Sequence, residues 1–139
     1  MSTARDALVV QDGIRGRGVF TTRDIADGDV VESCPLITVR EDDAGPGLDD
    51  YVIAAARSGR VHVMCGFGML YNHSSRANVS AVYADDDTIE MVAVRAIIAG
   101  EELTLDYGPA WWETRRREPI DPEAAAERGT GTTPTRRAR

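Results

Sequence analysis

The chain is short of several things, and each shortage excludes something. No run of apolar residues exceeds Val52 to Ala56, which is far too short to span a bilayer. The amino end, Met1 to Ala7, lacks the apolar core of a secretory signal, so the expected compartment is the cytoplasm. Two cysteines, Cys34 and Cys65, cannot build a disulfide framework or a four-thiolate zinc site, so no metal is expected. Lysine is absent, and all sixteen cationic side chains are arginine. A base-composition bias explains this as readily as function does, because Ala, Gly, Asp and Arg are abundant together. Aromatics are only 6%, against 42% apolar and 28% charged residues, a globular balance at a length of 139 residues that suits one domain.

The net charge of -7 is unevenly spread. Residues 1–114 carry 9 Arg against 19 acids, and residues 115–139 carry 7 Arg against 4. An acidic body disfavours the phosphate backbone of nucleic acid and draws in a cationic partner such as a basic peptide. The arginines near the carboxy terminus, Arg136, Arg137 and Arg139, read as a solvated tail, and Arg115 to Arg117 are available to pair with the acidic body.

The pattern along the chain is one of short strands and turn signals, a small β-rich α+β domain. Leu8 to Gln11 predicts a strand, Gly13 to Gly18 a glycine-punctuated turn, and Val19 to Thr22 a second strand. Val30 to Val39 predicts a longer strand, placed at an edge or a bulge by Pro35. Glu41 to Gly47 is an acidic loop. Leu48, Tyr51, Val52 and Ala55 then recur at helical spacing behind Asp49 and Asp50, which predicts a helix over Leu48 to Arg57. Val61 to Asn78 is irregular. Period two returns in Val79 to Tyr83 and Thr88 to Val94, a hairpin around Asp85 to Asp87, and a turn at Ala99-Gly100 leads into Glu102 to Tyr107. Asp85 to Asp87 lack the glycine and distant glutamate of a calcium loop. Trp111 to Arg117 predicts a short helix. Residues 1–117 form the expected domain, residues 118–139 read as a mobile tail, and no internal repeat stands out.

Three segments carry chemistry together: Gly16-Arg17-Gly18, Tyr71-Asn72-His73-Ser74, and Glu102-Leu103-Thr104-Leu105-Asp106-Tyr107. A Gly-x-Gly pair alone suits any tight turn. In this order and spacing the segments resemble the signature of the SET-domain protein lysine methyltransferases, across roughly Leu8 to Trp112. The chain is most similar to the compact viral-type members without zinc modules, which share Gly66-Phe67-Gly68 before Asn-His-Ser, and Tyr107-Gly108 followed by Trp112. The resemblance implies several small curved sheets, with a carboxy-terminal segment threaded as a pseudoknot that brings Asn72 beside Tyr107.

It also implies roles. Methyl transfer from the sulfonium of S-adenosyl-L-methionine to a lysine amine is an in-line displacement, governed by alignment and by keeping the amine neutral. Tyr107 matches the family's essential tyrosine, its hydroxyl dipole steadying the sulfonium methyl. Arg17, Gly18, Tyr71, Asn72, His73 and Trp112 match cofactor-binding positions: the Arg17-Gly18 turn for the methionine half, Asn72 and His73 for the amino group and adenine, and Trp112 as a stacking cover. Trp111 reads equally as a cover or as a lid on the core. Tyr51, on the expected helix, is similar in position to an aromatic lining the substrate side. Leu105, two residues before Tyr107, stands where many relatives carry Phe or Tyr. Without a hydroxyl to hold a water against the amine, repeated methylation is sterically open.

Departures accompany the matches. Ser75 stands where the family has Cys, in keeping with the missing zinc modules, and Ala77 stands where Pro is common, while Asn78 is retained. A hydrolase with Ser74 as nucleophile and His73 or His62 as base is disfavoured, since adjacent residues do not align for that chemistry and no Gly-x-Ser-x-Gly elbow is present. A SET-like module that holds a peptide without methylating it is the alternative to an enzyme. A basic protein carrying a target lysine is the expected partner, and a homodimer is compatible with the sequence.

Overall fold

The computed structural model describes residues 3–115, 117–119 and 122. Apart from Glu118, Pro119 and Pro122, the expected tail 118–139 lies outside the described residues. Strands dominate. β1 (Leu8–Gly13), β2 (Gly16–Thr21), β6 (Asn72–His73) and β9 (Glu102–Leu105) form a four-stranded sheet in the order β1-β2-β9-β6. β3 (Val30–Arg40), β4 (Ile53–Ala54), β5 (Arg60–Met64), β7 (Val79–Asp85) and β8 (Thr88–Ala93) form a five-stranded sheet in the order β4-β5-β3-β8-β7. Two short helices, α1 (Glu41–Ala44) and α2 (Pro109–Thr114), complete the α+β architecture. One core cluster links the sheets, with Val19 and Leu103 from the first and Val31, Cys34, Ile89 and Met91 from the second all buried.

Several expectations are corrected. The span Gly13 to Gly18 is not an open turn: β1 and β2 pair up to Gly13 opposite Gly16, leaving only Ile14 and Arg15 to turn the chain. Arg17 and Gly18 therefore sit on a strand, opposite Asp12 and Gln11. Pro35 lies on the second strand from neither edge, because β3 is the central strand of its sheet. Its missing N–H is tolerated because the strand changes partner there. Pairing with β8 ends at Pro35 opposite Thr88, and pairing with β5 begins at Leu36 opposite Met64. The irregularity in β3 falls earlier, between Val30 and Glu32.

No helix forms over Leu48 to Arg57. The acidic stretch makes α1 instead, a 3-10 turn follows at Pro46–Leu48, and Ile53 and Ala54 pair with His62 and Val61 of β5. Ten residues with β-branched Val52 and Ile53 form at best a marginal helix, and a ready ladder on β5 outcompetes it. The stretch from Val61, read as irregular, includes that regular strand before the 3-10 turn at Gly68–Leu70. The last helix starts two residues earlier than expected, with Pro109 in its first turn, where a missing N–H costs nothing.

A short internal echo also emerges. Ile25 and Ile97, both buried, form an isolated antiparallel bridge, and each lies three residues before a positive-φ glycine, Gly28 or Gly100. These two turns lead into β3 and β9 and lock the start of the chain to its end.

Candidate functional site

The parallel pairing of β6 with β9, Asn72 opposite Thr104 and His73 opposite Leu105, brings the sequence motifs together. Two residues make a weak strand, and Asn78 reinforces it. The Asn78 amide donates to the Glu102 carbonyl at 2.8 Å, and its Oδ1 accepts the Thr104 N–H at 2.9 Å, so a side chain supplies β9 with the bonds of a neighbouring strand. Ser74 N–H adds a bond to the Leu105 carbonyl at 3.0 Å.

Tyr107 leaves β9 held at both ends by residues 71–73. Its backbone N–H donates to His73 Nδ1 at 3.1 Å, and its hydroxyl donates to the Tyr71 carbonyl. Accepting that N–H requires the lone pair on Nδ1, which assigns the imidazole proton to Nε2. The 3.8 Å approach of Asp106 to the same nitrogen is therefore a proximity rather than an ion pair. Around Tyr107 gather Trp111 and Trp112 of α2, with ring centroids 4.8 and 5.9 Å away, and His73 at 5.4 Å. Trp112 is buried, edge-on to His73 at 5.1 Å, and its indole Nε1 has no hydrogen-bond partner.

Asn72 faces the first hairpin. Its Nδ2 donates to the Arg17 carbonyl at 2.8 Å and to Glu102 Oε2 at 2.9 Å, while Glu102 Oε1 pairs with the buried Arg15 at 3.1 Å. Gly18 permits this approach. A Cβ there would lie 2.3 Å from Glu102 Oε2 and 2.7 Å from Asn72 Nδ2. Arg17, Gly18, Asn72, His73, Tyr107 and Trp112 thus share one neighbourhood.

Tyr71 joins through its backbone. Its side chain is fully buried and donates to Glu32 Oε1 at 2.9 Å, so only its carbonyl faces Tyr107. Leu105 is half-buried, packed against the core opposite His73. Tyr51 is set apart: it lies on a turn rather than a helix, and no hydrogen bond or ring contact joins it to Tyr107 or the tryptophans among the described residues. Its neighbours make the connection. Arg115, stacked 4.3 Å over Trp111, donates to the Asp49 carbonyl and lies 3.4 Å from Asp50, which Arg117 also grips at 2.9 Å.

Sequence reading assigned no role to Glu32, Glu102 or Arg15. Glu32 had a signal, an acid at the same strand phase as Cys34 and next to buried Val31. Glu102 lay inside a quoted motif, and its partner Arg15 is 87 residues away in the chain. Burial pushes the Glu32 carboxyl above its ordinary range, against hydrogen bonds from Tyr71, Phe67 N–H and Cys34 and the charge of Arg5. Burial, then the Glu32 charge, push the Cys34 thiol up to about 12 and raise the Tyr71 phenol as well.

A bound nucleoside of an amino acid fits the residues present. Such a ligand needs backbone for a zwitterion, an amide and a flat aromatic cover, and the neighbourhood offers a strand that a glycine lets close on Asn72, together with a buried indole N–H lacking an acceptor. No helix among the described residues is long and apolar enough to cross a membrane.

Comparison with known proteins gives one family and one fold. A family model described as the SET domain matches residues 16–108. A crystal structure from Plasmodium falciparum, of a protein described as a candidate histone methyltransferase, superposes with a TM-score of 0.66 at 23% identity, covering 81% of this chain and 99% of that one. No curated protein sequence matches the chain.

Proposed function

Because the chain belongs to the SET-domain family, we propose that it is a protein lysine N-methyltransferase that uses S-adenosyl-L-methionine and acts on a basic protein or histone-like tail. One observation carries the reading: a tyrosine pinned through both its N–H and its hydroxyl to the strand that bears Asn72 and His73. When bound, the cofactor supplies an electrophilic sulfonium methyl. The chain's own part is placement. Asn72 and the backbone of Arg17, Gly18 and His73 hold the cofactor, and Trp112 covers its flat ring and offers the unpartnered indole N–H. Tyr107 sets a hydroxyl oxygen, already oriented on the Tyr71 carbonyl, at the transferring centre.

Leu105 presents neither charge nor hydroxyl, so a lysine amine beside it gains nothing from staying protonated and is not held to a single methylation. The acidic body attracts the tail that carries it. Tyr51 flanks that approach from the turn gripped by α2.

The test is transfer of labelled methyl from S-adenosylmethionine to core histones and ribosomal proteins, with Tyr107→Phe in parallel. Label on a lysine is expected to fall about 100-fold or more in the variant while cofactor affinity stays close to that of the parent. The chain has no lysine of its own to label. Full activity in Tyr107→Phe would remove the catalytic assignment. Cofactor binding without transfer to any basic protein would favour a peptide-binding module, and absence of cofactor binding would remove the roles of Asn72 and His73. Mass spectra with one added methyl only would count against the reading of Leu105.

A further inference from the structure

Behind Tyr107 lies a carboxylate that the proposed chemistry does not use. Glu32 is 0% exposed on the central strand of the five-stranded sheet, where an acid is costly unless it holds something. It holds both ends of one short segment. Oε2 accepts the Phe67 N–H at 3.3 Å, and Oε1 accepts the Tyr71 hydroxyl at 2.9 Å. Between these anchors the backbone presses directly on the strand. A Cβ on Gly66, which has φ of +71°, would lie 2.8 Å from Glu32 Oε2, and one on Gly68 would lie 2.6 Å from the Met64 Cβ and 3.1 Å from the Cys34 sulfur. Arg5 closes the outside, its Nε 3.6 Å from the carboxylate and its guanidinium over the Phe67 ring. The glycines flanking Phe67, a sequence feature with no assigned chemistry, thus let residues 66–71 dock on Glu32.

The docked segment ends at the Tyr71 carbonyl, which accepts the Tyr107 hydroxyl. We propose that Glu32 is a positioning residue: by gripping the Tyr71 side chain it fixes the Tyr71 carbonyl, and through that carbonyl it sets the direction of the Tyr107 hydroxyl. The inference deepens the assignment of Tyr107 as the catalytic residue and rests on it for its functional meaning. Glu32 touches neither Tyr107 nor the neighbourhood of Asn72 directly. Its action passes through one hydrogen bond, one residue of backbone and a second hydrogen bond. Cys34 and Tyr71 both keep their protons at neutral pH, so the carboxylate always meets donors there.

A structural anchor alone would change stability and leave the Tyr107 hydroxyl where it is, so the experiment reads that hydroxyl. The chain has four tyrosines, and labelling them with carbon-13 at the ring carbon bearing oxygen gives four resonances, that of Tyr107 assigned by its loss in Tyr107→Phe. Two variants are compared with the parent. Tyr71→Phe removes only the hydroxyl that reaches Glu32 and leaves the carbonyl in place, and Glu32→Gln keeps the shape while it can no longer accept on both sides. Unmoved resonances of Tyr83, exposed on β7, and Tyr51 establish an intact fold.

The expected result is a shift of the Tyr107 resonance in both variants. Methyl transfer to core histones should also fall about tenfold at unchanged cofactor affinity, the rate equivalent of one misdirected hydrogen bond. A Tyr107 resonance that stays in place in both folded variants overturns the proposal. A shift in both variants of a chain that transfers no methyl upholds the relay and overturns the transferase reading instead, so the two failures are separable.

Discussion

The two sides of the site are held in opposite ways. On one side, Glu32, Tyr71, Asn72, His73 and Asn78 are all buried, and neutral or charge-assisted hydrogen bonds fix each to a partner on another strand. On the other, α2 is fastened to the turn at Asp49 and Asp50 by arginines, with Arg117 39% exposed. Buried hydrogen bonds have narrow geometry and are expensive to break, whereas exposed ion pairs are weak and screened by salt. The atoms whose aim matters for chemistry are set by the first kind of bond. The helix that carries the aromatic cover is held by the second kind, which allows it to loosen and let a ligand pass.

The contrast can be broken most directly by cutting each side once. Glu32→Ala strips acceptors from a buried hydroxyl and a backbone N–H and leaves a cavity. It is expected to cost about 3 kcal/mol or more, read as a drop in denaturant midpoint at unchanged slope. A cost below about 1 kcal/mol would mean that the buried side is no more tightly built than the surface side.

A subtler cut is Glu32→Gln followed across pH. A carboxyl raised by burial binds its proton more tightly in the folded chain, so its share of stability is fully present below 4.5 and is lost as pH rises through the higher native value. Glutamine has no such loss. The stability of Glu32→Gln relative to the parent should therefore climb with pH over that window, and a flat or falling difference would show that burial does not dominate there.

The smallest effect belongs to the clasp. Asp50→Asn should cost at most about 1 kcal/mol, and 1 M salt should abolish the difference from the parent. Tryptophan fluorescence is a suitable monitor, because Arg115 sits on the Trp111 ring. Between these extremes, the two thiols sharpen the same comparison. Buried Cys34 should resist iodoacetamide in the folded state while the half-buried Cys65 reacts.

How much of this was legible in the sequence depends on how far apart the partners lie. The hairpin of β7 and β8 announced itself through period-two alternation around three aspartates, and Tyr107 through a motif with few bland readings. The segment Leu48 to Arg57 misled, because its helical spacing is real while its fate was decided by β5, a strand hidden in a stretch that looked irregular. β6 is two residues long and parallel to its neighbour, so no local signal could declare it. Glu32 is 39 residues from Tyr71 and Asp50 is 67 from Arg117, distances at which only the folded chain shows the pairing. The motifs named the residues that gather around Tyr107, and the carboxylates that steady those residues lay outside the motifs or went without a role within them.

The place of β9 bears on how the protein is made. It is the last strand to leave the ribosome, yet it lies in the interior of its sheet, between β2 and β6. Until residues 102–105 emerge, the first hairpin exposes an unpaired edge, Ile25 has no Ile97 to bridge to, and Asn78 has no backbone to bind. The nascent chain must therefore wait with an open seam through most of its synthesis, and closure and assembly of the site arrive together in one late step. A ribosome-stalled chain ending before Glu102 should be cut readily by protease along β2, and one that extends beyond Arg117 by the length of the exit tunnel should not.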